Sequence, residues 1–211
     1  MRDAKRRGAM DVSSFVAIIV SMVFVNNFIL HKFLGLCSFI GVSKETRPAV
    51  SMGLAVTFVT TMSSIITWLI YRFILIPLDI TYLRTISFIL VIASFVQFVE
   101  MVVRKTSPAL YKVFGIYLPL ITVNCAVLGV AVLNSETFFL HDKAIGGSFL
   151  MSVVQGFFAG IGYLLAMFLM SGIRERLELS DVPHCFKDVP LAFVIASLMS
   201  LAFMGFNGFS L

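Results

Sequence analysis

Cys37 and Cys125 stand inside apolar, helix-length stretches with matching surroundings, Cys37-Ser38-Phe39-Ile40-Gly41-Val42 and Cys125-Ala126-Val127-Leu128-Gly129-Val130. Each run reads Cys-x-x-x-Gly-Val. Thiolates are soft ligands for iron and zinc. One thiol at the same point in each half of a duplicated membrane protein argues for a ligand shared between the halves rather than for packing alone. The expected chemistry is a metal or iron-sulfur site within the bilayer. The competing reading is that a lone cysteine in an apolar helix is a small inert hydrophobe, and the repeated surroundings are what weigh against it. Cys185 has no counterpart: it lies in the polar run Asp181-Val182-Pro183-His184-Cys185-Phe186-Lys187. Neighbours in sequence such as His184 and Cys185 seldom chelate one ion well, so Cys185 reads as a free cytoplasmic thiol.

Two thiolates cannot complete a four-cysteine [2Fe-2S] site. A cluster at Cys37 and Cys125 therefore requires a second copy or a homologous partner to supply the other two. Gly35 and Asn124 suit positions beside the cluster, because glycine lets the backbone approach closely and an amide can donate to cluster sulfur. His31 reads as a partly buried polar group bonded to backbone freed by a helix break.

Composition sets the elements that must position these residues. With 59% apolar residues, 22 Phe and 13% charge over 211 residues, the chain has too little polar surface for a soluble domain of its size. Apolar runs long enough to cross about 30 Å of hydrocarbon occur at 14–42, 49–77, 85–103, 110–133, 146–172 and 189–209. The expected fold is an all-α integral membrane protein of six transmembrane helices. It forms one domain over 1–211, with a tail at 1–11, a first repeat at 12–105 and a second at 106–211. The basic opening lacks a small-residue cleavage site, which argues for a retained first span rather than a secretory signal.

The repeat rests on the two cysteine runs and on Val91-Ile92-Ala93-Ser94, which recurs in the same order as Val194-Ile195-Ala196-Ser197. Three spans per half make the second copy enter the membrane from the opposite side, the inverted arrangement of many transport proteins. Helices 1 and 4 are expected to be discontinuous. The first carries Asn26, Asn27, His31 and Lys32 before Gly35, and the fourth holds Gly115, Pro119, Thr122 and Asn124. Broken helices survive at membrane depth only where protein or a cavity surrounds them.

Lys and Arg in short loops set orientation. Lys44, Arg47, Arg104, Lys105, Lys112, Arg174, Arg176 and Lys187 fall on one side, against Arg72, Arg84 and Lys143 plus the N-terminal basic residues on the other. With Met10 as a second plausible start, the balance places the odd-numbered loops in the cytoplasm and both termini outside. No basic stripe interleaved with aromatics points to nucleic acid. Glu100, near the end of the third span, is a candidate for ion or proton handling, since intramembrane carboxylates are costly; Arg104, four residues on, makes an ion pair the simpler role.

The runs Val25-Asn26-Asn27-Phe28-Ile29-Leu30, Lys32-Phe33-Leu34-Gly35-Leu36-Cys37, Val99-Glu100-Met101-Val102-Val103-Arg104-Lys105, Leu118-Pro119-Leu120-Ile121-Thr122-Val123-Asn124-Cys125 and Gly172-Ile173-Arg174-Glu175-Arg176 resemble the RnfA/NqrE family, whose RnfA branch belongs to the Rnf electron-transport complex. The likeness covers residues 12–211. It implies pairing with a homologous RnfE-type subunit in inverted orientation, and a [2Fe-2S] cluster between the two that takes Cys37 and Cys125 as its ligands from this chain. It further implies RnfB, RnfC, RnfD and RnfG-type partners, a bacterial inner (cytoplasmic) membrane, and electron flow between ferredoxin and NAD coupled to Na+ or H+ translocation. The chain would relay electrons outward to a flavin as one component of an oxidoreductase and would catalyse nothing alone. Ser38 stands where many relatives carry proline, and the tail before Met10 is longer than usual. The alternative is an inverted-repeat secondary transporter without a redox centre, for which Asn26, Asn27, Thr122 and Asn124 would line a substrate or cation site.

Overall fold

The structure, a computed structural model, describes residues 19, 20, 23, 27–77, 81–106, 120, 124–136, 145–179, 183 and 188–205. Among them the chain is helical and contains no strand. Helix α1 spans Leu36–Val42, α2 Thr46–Ile70, α3 Arg84–Thr106, α4 Cys125–Asn134, α5 Ile145–Glu178 and α6 Val189–Met204. A π-helical turn, Tyr71–Leu75, continues α2, and a 3-10 turn, Thr81–Leu83, leads into α3. Three helices are long and apolar enough to cross a membrane, within Thr46–Leu75, Arg84–Val102 and Phe149–Glu178. The shorter α4 and α6 are equally apolar in character.

The antiparallel pair of α2 and α5 forms the centre. Thr46 lies against Glu175, Gly53 against Leu164, Thr57 against Gly160, Ser64 against Gly156 and Trp68 against Phe149. Small residues let the two backbones approach, the usual basis of helix association where lipid removes the hydrophobic drive. A Cβ built on Gly160 would stand 2.6 Å from Thr57 Cα. Five hydroxyls of α2 satisfy themselves within the helix: Thr57, Thr60, Thr61, Ser64 and Thr67 each donate to the carbonyl four residues earlier, at 2.6–2.9 Å. The outer faces are the reverse, with Phe73, Leu90, Phe98 and Leu201 exposed. Apolar outside and hydroxyl-rich inside is the pattern of a chain solvated by lipid.

Helix α3 touches this core through a narrow stripe, Phe88, Ile92 and Val96, one residue per turn on a single face. Only 17% of its apolar span is buried, against 44% for the α2 span and 50% for the α5 span, so α3 is peripheral. Ion pairs tie the helix ends together. Lys44 Nζ meets Asp188 at 2.7 Å, joining the α1–α2 link to the start of α6, and Arg84 meets Glu136 at 2.9 Å, joining the start of α3 to the residues after α4.

Before α1 the chain is not helical over residues 27–35; it turns, held by local bonds from the His31 amide to Asn27 O at 2.8 Å and from the Leu34 amide to Phe28 O at 2.9 Å, and by side-chain bonds to α5 and α6. Asn27 Nδ2 donates to Gly162 O of α5 at 2.8 Å, and its Oδ1 accepts from the Ile29 amide at 3.2 Å. Ser200 Oγ of α6 donates to Leu30 O at 2.6 Å. The expected break in the first apolar stretch is therefore present at these residues. The corresponding part of the fourth stretch, including Gly115, Pro119 and Thr122, lies outside the described residues, as does Asn26.

Candidate metal-ligand site

Both cysteines begin helices. Cys125 is the first residue of α4 and Cys37 the second of α1. Each helix starts within an apolar stretch because the residue before it supplies a cap. Asn124 is extended (φ −70, ψ 114) and its side chain accepts from the Ala126 amide at 3.0 Å, satisfying a donor that the first turn cannot. Gly35 caps α1 in the left-handed region (φ +85, ψ 17), which costs a residue with a Cβ about 1–2 kcal/mol. Space imposes the same choice: a Cβ on Gly35 would meet Tyr163 Cε2 at 3.2 Å and Ala126 Cβ and Asn124 Oδ1 at 3.3 Å.

This packing brings the two helix starts together. The Gly35 amide donates to Cys125 Sγ at 3.0 Å, across 90 residues of sequence. Asn124 Nδ2 reaches Ser38 Oγ at 3.4 Å, and Ser38 Oγ bonds Gly35 O at 2.9 Å and Tyr163 OH at 2.5 Å. Gly35, Ser38, Asn124 and Tyr163 are buried. Both thiols, by contrast, are exposed and unbridged. In the first broken segment residues 27–30 and Gly35 are buried, as are Ser38, Asn124 and Tyr163, while both cysteines are exposed.

Among the described residues no three His, Cys, Asp or Glu side chains gather as a complete metal site. Cys185 and His184 lie outside the described residues. His31 is exposed rather than partly buried, because the turn at residues 27–35 is closed by Asn27 and Ser200 and leaves the imidazole no interior place. Glu100 is half-buried on α3; the side chain of Arg104 lies outside the described residues, and with it the expected pair.

Two contributors escape a reading of the sequence. Tyr163 and Arg174 both sit on α5. Arg174, 8% exposed, donates through Nη1 to Ile40 O at 2.8 Å and to Ser43 Oγ at 2.9 Å, holding the C-terminal end of the Cys37 helix. A guanidinium at that end also complements the helix dipole. The available signal was a polar group in an apolar helix, an arginine and a tyrosine tip each of which needs a partner when buried. The partner's identity was not readable.

The Rnf-Nqr subunit family of membrane proteins matches residues 15–210. The A-type subunit of the ion-translocating oxidoreductase complex of Serratia proteamaculans is 56% identical over 197 residues, covering 93% of this chain and 98% of that protein. The proteins of the same name from Salmonella arizonae and Citrobacter koseri are 57% identical over the same shares.

Proposed function

The chain belongs to the Rnf-Nqr family of membrane subunits, and from that premise we propose that it is the electron-relaying membrane subunit of an ion-translocating oxidoreductase complex, holding half of a [2Fe-2S] site with Cys37 and Cys125. The observation that carries the reading is the hydrogen bond from Gly35 to Cys125 at 3.0 Å. It draws together the starts of the two cysteine helices while both thiols stay exposed, the arrangement that a ligand pair completed by a partner's thiolates requires.

The donor set fits the group. Two soft thiolates, an amide already aimed at one sulfur and a buried polar collar are what an anionic iron-sulfur cluster needs in an apolar medium. Such a cluster supplies one-electron redox chemistry. This chain's own residues hold and tune: Cys37 and Cys125 ligate, Gly35 donates to sulfur, Asn124 caps the helix that presents Cys125, and the surrounding apolar helices exclude water. The partner is a homologous RnfE-type subunit, with RnfB, RnfC, RnfD and RnfG-type subunits completing a complex in the bacterial inner membrane that couples ferredoxin and NAD chemistry to Na+ or H+ movement. Glu100 is the candidate for ion or proton handling in this chain, an ion pair with Arg104 being the simpler role.

Three relations between equivalent elements support six spans built as inverted repeats. The second helices of the two halves, α2 and α5, pack antiparallel, as a two-fold axis in the membrane plane demands. The two cysteine helices meet at their starts. Each ion pair joins the residues after a cysteine helix to the start of the third helix of the other half, Lys44 with Asp188 and Glu136 with Arg84.

The test is ligand removal in the complete complex. Cys37→Ser and Cys125→Ser should each abolish the [2Fe-2S] paramagnetic signal and the iron and acid-labile sulfide of this site, and electron transfer should fall by at least about 100-fold, as loss of an essential group does. Cys185→Ser should change neither. A full signal in Cys125→Ser would end the assignment. A carrier without a redox centre predicts neither iron nor sulfide in the wild-type pair, and the redox names of relatives covered over 98% of their own length weigh against it.

A further inference from the structure

Helix α1 has seven residues, too few to hold its own shape, yet its first turn must keep the Gly35 amide on the Cys125 sulfur. We propose that Tyr163 of α5 is a positioning residue for this contact, acting through Ser38 to lock the left-handed turn at Gly35; the role in redox tuning rests on the cluster reading above.

The hydrogen-bond directions follow from the number of protons. Ser38 Oγ has one, and the Gly35 carbonyl, which can only accept, takes it at 2.9 Å. Ser38 must then accept from Tyr163, so the Tyr163 hydroxyl is the donor of the 2.5 Å bond, and Asn124 Nδ2 supplies a second, longer contact to the same oxygen at 3.4 Å. Tyr163 touches the turn a second way, with Cε2 lying 3.2 Å from where a Cβ on Gly35 would stand. The ring therefore closes one side of the glycine while its hydroxyl fixes the serine that grips the glycine's carbonyl. Gly35 is held from its carbonyl side, and its amide is left pointing at Cys125 Sγ. Tyr163 is 2% exposed and Ser38 fully buried, so water does not compete for these bonds.

The consequence is electrostatic. A donor aimed at a ligand sulfur stabilises the reduced cluster, which carries one more negative charge, more than the oxidised one, and raises the reduction potential. Loosening the turn weakens that donor and lowers the potential. The effect of Tyr163 on the sulfur passes through Ser38 and Gly35.

The experiment uses the purified complete complex carrying Tyr163→Phe, Tyr163→Leu, Ser38→Ala or Ser38→Thr. The reduction potential of the cluster comes from a redox titration followed by electron paramagnetic resonance. Hydrogen exchange is followed in the peptide containing Gly35, which reports the amide whether or not a cluster is present. Tyr163→Phe should lower the potential by about threefold to tenfold in the one-electron equilibrium, at most about 59 mV, and speed exchange of one amide. Tyr163→Leu, which also opens the packing against Gly35, should do more. Ser38→Ala should match Tyr163→Phe, the double variant should add little beyond either, and Ser38→Thr, which keeps the hydroxyl, should restore both readouts. A purely structural tyrosine would lower the yield of complex and leave the potential of the surviving clusters unmoved, which overturns the proposal, as does unchanged exchange in both Tyr163→Phe and Ser38→Ala. Faster exchange in these variants of a complex whose wild-type form holds no cluster at this site would sustain the latch and defeat the cluster reading instead.

Discussion

At the scale of single residues, Gly35 carries the site more than any charged group does. Its left-handed conformation and the three atoms within 3.3 Å of a would-be Cβ make two independent demands that only glycine meets. Gly35→Ala should therefore cost about 1–2 kcal/mol from the backbone alone, and should displace the amide from Cys125 Sγ. The expected outcome is a complex that assembles in reduced amount with a cluster that is lost or shifted to lower potential, measured by thermal unfolding and by redox titration together. An unaltered potential in Gly35→Ala would show that the amide does not act on the sulfur. The cysteines and Gly35 were legible as a pair of motifs because residue type and spacing alone mark them. Ser38 stands out in the sequence only as a departure from proline, and its hydroxyl, which links Gly35, Asn124 and Tyr163, depends on contacts that no spacing rule encodes.

At the scale of elements, the fold turns on the approach of α2 and α5. Gly160 faces the backbone of Thr57, which has no flexible end to swing away, whereas nothing lies within 4 Å of a Cβ built on Gly172 of the same helix. Gly160→Val should therefore destabilise by about 1–3 kcal/mol through overpacking, and Gly172→Ala should be neutral or gain up to about 1 kcal/mol from helix propensity. Thermal unfolding of the detergent-solubilised complex distinguishes them; equal melting temperatures would refute the close-approach account. The helices themselves follow from apolar length, and α2, α3 and α5 fall close to the apolar runs that composition marks. The start of α1 and α4 is different. Those starts are set by a left-handed glycine and an asparagine cap, which apolar length alone does not place.

At the scale of the whole molecule, the antiparallel packing gathers charge at one end. The bond from the Thr46 amide to Glu175 places the beginning of α2 beside the end of α5, so Lys44, Arg47, Arg174 and Arg176 share that end, while Arg84 and Glu136 meet near the other. By the excess of Lys and Arg on the cytoplasmic face, reporters fused after Lys44, Lys105 or Arg176 should read cytoplasmic, and one at Leu211 external. A cytoplasmic signal at Leu211 would reverse the orientation and give the N-terminal basic residues the deciding weight. What the sequence determined by itself is what depends on local composition: a membrane-solvated helical chain, two matched cysteine runs and the break before the first of them. Transfer free energy and helix-breaking chemistry act within a few residues of one another, so they can be read along the chain. Only the tertiary structure decided that the thiols face outward, that Gly35 donates across 90 residues to Cys125, and that α5 supplies both Tyr163 and Arg174 to the Cys37 helix. Those facts depend on which face each helix turns to its neighbour, and in a chain apolar on nearly every face hydropathy carries little information about direction. Small residues, hydroxyls and a few hydrogen bonds choose the rotation instead, and they act between segments far apart in sequence.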